Sequence, residues 1–313
     1  MHLFTVLTPT YNRKKLLKRV YDSLKRQTFK DFVWLIIDDG STDGTSEVVD
    51  IWKKENVIEI EYYYKENEGK HIILKLGFDL IKTKYMLDID DDDELTDDCL
   101  QVFYEEWMKL EKENNTNIGS IRALVIDENN KILGSYNSNT DIGILDISYN
   151  DMNFVRHKHF ENITSNKTEI IKNANIFVDD GKWLYDKIKN INPGIFWMRL
   201  SRKTSTRYLF RPLRIYHYDA PYSILRVKSN FQQKWFNRTF TILQELNEMS
   251  DYYWRYPIFF LNQYCHFLVY SSALKLPFKD VYDALVHPFF KYMCIVFYPA
   301  SSLLGSYLRK KYK

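Results

Sequence analysis

The chain has 313 residues, of which 45% are hydrophobic and 16% aromatic, and its formal net charge is only +3. That composition excludes a disordered chain, allows one large or two modest buried cores, and carries none of the basic excess expected of a nucleic-acid binder. Cys99, Cys265 and Cys294 lie far apart with no Cys-x-x-Cys pair, which argues against a zinc site or a disulfide framework and fits a reducing, cytoplasmic setting.

The N-terminal "MHLFTVLTPTYNR" lacks the basic start, apolar segment and small-residue cleavage site of a secretory signal. Within it, residues 3–8 read as a buried strand bounded by Pro9. "KKLLKRVYDSLKRQT" places Leu16, Leu17, Val20 and Leu24 at helical spacing. "FVWLIIDDGS" is a second apolar strand ending in an acidic turn, "DGTSEVVDIWKKE" a helix, "IEIEYYYKE" a third strand, "GKHIILKLGFDLIK" a helix and "YMLDID" a fourth strand. Apolar strands alternating with helices predict an α/β fold with a mostly parallel sheet covered on both faces. Residues 96–113 read as a helix, and "IGSIRALVIDENNKILGSY" as strand, turn, strand. Residues 149–214 look irregular, and from about residue 221 the pattern is helical and aromatic. The expected division is a domain over 1–220, with halves 1–115 and 116–220, and a helical region over 221–313.

Ligands of parallel sheets bind beyond the carboxyl ends of the strands. Three polar clusters fall there: residues 8–13, 38–42 and 88–93. The last, "DIDDDD", sets five aspartates in six positions, a like-charge density that a divalent cation would relieve. Asp90 and Asp91, nearest the strand end, are the expected metal ligands, whereas Asp92, Asp93 and Glu94 read as a solvated acidic loop at the start of the next helix. A strand-end carboxylate can accept the ring N–H of a pyrimidine, which makes Asp39 a candidate for base recognition. Turn chemistry alone also accounts for "DDGST" and for Pro9 and Asn12.

Taken in order, "VLTPTYNR", "SLKRQTFKDFVWLIIDDGSTDGT", "ENEGKH" and "YMLDIDDDDELTDD" resemble the N-terminal half of the family 2 glycosyltransferases, inverting enzymes of the GT-A (Rossmann-like) fold. The resemblance covers residues 3–115 and thins out by about residue 220. It implies a nucleoside diphosphate sugar donor, expected to be UDP-linked, and Mn²⁺ or Mg²⁺ at an Asp-x-Asp motif. The implied acceptor is a saccharide or lipid-linked saccharide of bacterial surface polysaccharide synthesis. By motif, Thr8, Pro9, Tyr11 and Arg13 would line the nucleotide and Asp39 the base. Asp88 and Asp90 would face ribose and sugar phosphate, Asp90 or Asp91 the metal, and Asn67, Gly69 and Lys70 would close the pocket at the diphosphate. The family's acidic base corresponds to "DDGKW": Asp180 first, then Asp179, with Asp186 a third choice. An Asp-Gly hairpin turn is the plain alternative there.

Such a reaction is one in-line displacement, with the base on the acceptor hydroxyl and the metal on the leaving diphosphate. A sugar nucleotidylyltransferase and a non-catalytic nucleotide- or carbohydrate-binding protein are the competing readings; the former usually needs a Gly-rich phosphate loop, which the N-terminus lacks. At the other end, residues 293–308 form an apolar stretch interrupted by Pro299 and Gly305 and followed by a basic end. It is too short to span a bilayer. It reads equally as a buried helix or as a peripheral contact with the inner face of the membrane.

Overall fold

The computed structural model of the protein describes residues 2–135, 137, 142–156, 158–173, 194–219 and 231–311. Strands and helices alternate through the first part: β1 (Phe4–Thr10), α1 (Lys14–Arg26), β2 (Phe32–Asp38), α2 (Thr45–Glu55), β3 (Glu59–Tyr64), α3 (Lys70–Leu80) and β4 (Tyr85–Asp88). The four strands pair in parallel in the order β3-β2-β1-β4. Every residue of β1 and β2 is buried, as continuous apolar runs require of strands covered on both faces. Over one face Tyr21 of α1 stacks on Trp52 of α2 at 4.4 Å and on Trp34 of β2 at 6.0 Å.

Then follow β5 (Glu94–Leu95), α4 (Cys99–Lys112), β6 (Ile118–Asp127), β7 (Ile144–Ile147), α5 (Tyr149–Phe154), β8 (Asn162–Lys167), α6 (Thr168–Asn173), α7 (Gly194–Leu200) and β9 (Ser205–Tyr216). They extend the sheet as β4-β8-β6-β9-β5, with β7 also on β9. Strands β8, β5 and β7 run against their neighbours. The other six of the nine described strands share one direction.

Three local expectations change. Strand β1 runs through Pro9 to Thr10, paired with β2 throughout. Leu7 accepts the Ile89 amide on the β4 side, so by alternation Pro9 points its missing N–H to that side, where β4 has already ended at Asp88. Residues 149–214 are not irregular where described. β8, "NITSNK", is a largely buried polar strand with partners inside the fold: Ser120 donates to Asn166 Oδ1 at 2.6 Å and the Trp107 indole to Ser165 at 2.9 Å, while Asn166 Nδ2 and Asn162 Oδ1 are buried without a partner among the described residues. β9 hides its pattern behind Pro212 and a register shift opposite Ala123 and Leu124. The expected return strand after β6 shrinks to single bridges, Ile126 with Ile132 and Gly134 with Phe160.

The chain divides into two compact units: Met1–Ile176 with Trp197–Ser223, and Phe177–Phe196 with Ile224–Lys313. The second contains α8 (Phe231–Glu248), a 3₁₀ turn (Ser250–Tyr252), α9 (Pro257–Ala273), α10 (Phe278–Ala284) and α11 (Pro288–Lys311). Phe290 packs on Tyr253 and Tyr264 at 4.9 and 4.8 Å. Gly305 lets α11 approach α9 closely, since a Cβ there would lie 2.7 Å from the Ala273 amide. No helix of the described residues is long and apolar enough to cross a membrane.

Thr8, expected beside a nucleotide, belongs to the core instead. It is fully buried, and its hydroxyl accepts the Trp34 indole N–H at 2.9 Å. Thr8→Val leaves that buried donor unpaired, so urea unfolding should show a loss of about 1–3 kcal/mol. Thr8→Ser keeps the acceptor and should lose roughly 1 kcal/mol, for the methyl alone.

Candidate active site

The loops after β1, β2 and β3 are tied to one another by their own polar groups. Asn12, in the left-handed region at φ 52°, accepts the Thr42 amide at 2.8 Å, and its own N–H donates to Ser41 Oγ at 2.8 Å. Asp43 accepts the Lys14 amide at 2.9 Å, so the second loop caps α1. Asp38 is consumed by the Ser41 amide at 2.7 Å and the Tyr62 hydroxyl at 2.6 Å. Asp39 accepts the amides of Glu68 at 2.9 Å and Gly69 at 3.1 Å. Burial pushes the Asp39 carboxyl up, against the pull of those amides. Gly40, at φ 88°, sits so close to the third loop that a Cβ would lie 2.9 Å from the Asn67 amide. Gly69, at φ 99°, turns the chain into α3, whose first residue is Lys70.

The acidic turn faces these loops, and cations from several elements meet it. Thr10 donates to Asp91 Oδ2 at 2.8 Å, and Arg13 Nη1 donates to Asp91 Oδ1 at 2.8 Å and to Asp92 Oδ2 at 2.9 Å. Arg19 Nη1 donates to the Asp92 carbonyl at 2.7 Å. Lys70 Nζ lies 2.5 Å from Asp90 Oδ1, and Arg214 of β9 lies 3.4 Å from Asp93. These pairings separate the carboxylates electrically. The Lys70 charge holds Asp90 below the usual carboxylate range. Burial pushes Asp91 up to about 6 in spite of Arg13, and burial pushes Asp93 up as well, with Arg214 opposing and Asp90 adding to the shift. Asp88, behind them at the strand end, is raised by burial to about 6; its Oδ1 is buried without a hydrogen-bond partner.

Carboxylate oxygens of Asp90, Asp92 and Asp93 lie within 4.8 Å of one another, the described residues' one such group of three. Asp91, expected as a metal ligand, is turned away into its pair with Arg13 and Thr10. The carboxylates that converge with Asp-x-Asp spacing are therefore those of Asp90 and Asp92. Asp92 and Asp93 are also not a solvated cap on the next helix: β5 intervenes, and Asp93 is buried against Arg214. Pro9 is buried in β1, Tyr11 is exposed, and Asn67, Gly69 and Lys70 form the rim beside Asp39. Asp179, Asp180 and Asp186 lie outside the described residues. Sequence reasoning passed over Thr10, Arg19 and Arg214. The surplus of negative charge demanded cations, but nothing in the sequence says which of 44 Lys and Arg supply them.

Residues 5–230 match the model of the family described as glycosyl transferase family 2. An uncharacterized glycosyltransferase of Rickettsia felis is 35% identical over 134 residues, 43% of this chain and 21% of that protein. The GalNAc(5)-diNAcBac-PP-undecaprenol beta-1,3-glucosyltransferase of Campylobacter jejuni is 32% identical over 108 residues, 34% of this chain and 35% of that one. The first relatives matched are thus spanned over only about a fifth of their length. Among solved structures, S. aureus TarS 1-349 in complex with UDP-GlcNAc superposes with a TM-score of 0.66 at 16% identity, covering 97% of this chain and 89% of that one. At that identity the likeness concerns the fold, which is the GT-A arrangement.

A buried ion pair broken on one side is costly, because the remaining charge stays desolvated. Asp91→Ala should therefore lower the unfolding free energy by on the order of 3 kcal/mol in metal-free buffer. Asp92→Ala, at a partly exposed position, should cost less than about 1 kcal/mol. Equal urea midpoints for Asp91→Ala and the parent chain would remove Asp91 from this structural role.

Proposed function

The chain belongs to glycosyl transferase family 2, and we propose that it transfers a sugar, with inversion, from a uridine diphosphate sugar to a hydroxyl of a saccharide or lipid-linked saccharide. The proposed setting is the cytoplasmic side of bacterial surface-glycan synthesis. The observation that carries this reading is the convergence of Asp90, Asp92 and Asp93 with Lys70 beside Asp39, beyond the carboxyl ends of parallel strands. A relative named for an undecaprenol-linked acceptor and a structural neighbour solved with UDP-GlcNAc support the acceptor and donor classes.

The donor set fits a hard divalent cation. Asp90, Asp92 and Asp93 offer carboxylate oxygens, and Asp93 Oδ1 is buried with no hydrogen-bond partner. Mn²⁺ or Mg²⁺ held there supplies Lewis-acid stabilisation of the charge on a departing diphosphate. The chain's own residues do the rest. Lys70 exchanges part of its pairing with Asp90 for a phosphate oxygen. Asp39, which has lone pairs left after its two amides, accepts the uracil ring N–H. Asp91, clamped by Arg13 and Thr10, holds the turn so that its neighbours point outward. The acceptor proton goes to a carboxylate of the second half, Asp180 first and then Asp179 or Asp186.

Titration calorimetry tests the site directly. Mn²⁺ and UDP should each tighten the other's binding in the parent chain, and Asp90→Asn or Asp92→Asn should abolish that coupling. Independent binding of the two ligands would sink the metal assignment. UDP should outcompete CDP, since cytosine has no proton at that ring nitrogen, and Asp39→Ala should level the two. With a donor in hand, Asp180→Asn should slow transfer by about 100-fold or more while donor affinity survives.

A further inference from the structure

Helix α11 has an unusual outer face. Its buried stripe is narrow and built from Phe290, Cys294, Ser301 and Gly305. Facing solvent, at steps of three and four residues, are Phe289, Tyr292, Val296, Pro299, Leu303 and Tyr307. Tyr292 is 67% exposed and Leu303 76%. No charged residue occurs between Lys291 and Arg309. A helix on the surface of a soluble unit carries charged and polar residues on that side, as α1 does with exposed Lys15, Lys18 and Arg26. The beginning of α9, whose Tyr264 stacks on Phe290, adds Ile258 and, just before the helix, Trp254, 81% and 91% exposed. Apolar side chains bared on this scale mark an interaction surface.

Charge decides what covers it. Neither α9 nor α11 contains an Asp or Glu. Apart from Lys291 in the first turn of α11, whose amine lies over the Tyr282 ring at 5.2 Å, the basic residues gather at one end, where α11 finishes with Arg309 and the exposed Lys310 and Lys311, and where Lys275 is exposed in the turn after α9. Arg309 belongs to the same place, because its guanidinium donates to the carbonyls of Ser272 and Ala273. Tyr and Trp beside aliphatic groups, edged by lysines, match the interfacial layer of an anionic bilayer: rings at headgroup depth, aliphatic groups below, amines on phosphate. We propose that the outer face of α11, with the start of α9, docks this protein on an anionic lipid surface, lying in the interface without crossing it. This rests on the helical unit alone and is independent of sugar transfer.

Cosedimentation of the full chain with vesicles tests it. The chain should bind vesicles of phosphatidylcholine and phosphatidylglycerol, and more weakly vesicles of phosphatidylcholine alone, with added salt erasing the difference. Lys310→Gln and Lys311→Gln should each weaken binding to the anionic vesicles by about fivefold. The double variant Tyr292→Glu, Leu303→Glu should weaken binding to both vesicle types by at least about tenfold. Both positions are exposed, so its thermal melt should match the parent's. The proposal is overturned if the full chain ignores both vesicle types, or if the double glutamate variant binds like the parent. It is equally overturned if lipid-free chains form a dimer that Leu303→Glu dissolves, which would give the face to a second copy.

Discussion

Five carboxylates packed into six positions cannot stay ionised together unless the protein or a ligand supplies compensating charge, and the first unit is organised around that requirement. Arg13 and Arg19 come from the loop and helix after β1, Lys70 from the start of α3, and Arg214 from β9. Each cation takes a different part of the turn. The result is graded: Asp91 is neutralised and buried, Asp90 is kept ionised by Lys70, and Asp93 is left with one oxygen unsatisfied. Part of the work first ascribed to a metal ion is therefore done by the chain itself. What remains, the convergence of Asp90, Asp92 and Asp93, is the portion that a cation and a diphosphate would complete.

The same economy of polar groups holds the opposite wall. Asp38, Asp39 and Asp43 look alike in the sequence, yet each anchors a different backbone: Asp38 its own turn, Asp39 the approach to α3, and Asp43 the start of α1. Lys70 is thus positioned by a carboxylate from another loop before any ligand arrives. Such cross-bracing limits the reorganisation needed on binding, which is where preorganised sites gain over water.

The helical unit shows how aromatic content divides between two uses. Tyr253, Tyr264 and Phe290 interlock as a core, whereas Trp254 and Phe289, immediate neighbours of two of them, and Tyr292 and Tyr307 on the same helix as Phe290 are exposed. Composition cannot tell the two groups apart, because both are apolar and both recur at helical spacing. Only the place where α9 crosses α11, at Gly305, settles which stripe is buried.

Much of the fold was legible in the chain. Continuous apolar runs alternating with amphipathic helices required a parallel sheet, and the polar clusters at the strand ends put the candidate site on one rim, because backbone pairing and side-chain period are local properties. Membership of the family was legible for the same reason, through ordered motifs within the first 115 residues. The direction of each aspartate was not. Asp91 turns inward because Thr10 and Arg13, about 80 residues earlier, reach it, and Asp93 because Arg214, over 100 residues later, does. Strands β8 and β9 were likewise hidden, since their polar residues meet partners that no local window contains: Ser165 and Asn166 of β8 meet Trp107 of α4 and Ser120 of β6, and Arg207 of β9 meets Asp146 of β7. Spacing along the chain determined which groups could gather at the rim. Long-range charge pairing, available only once the sheet had formed, decided which of them turn inward and which converge at the candidate site.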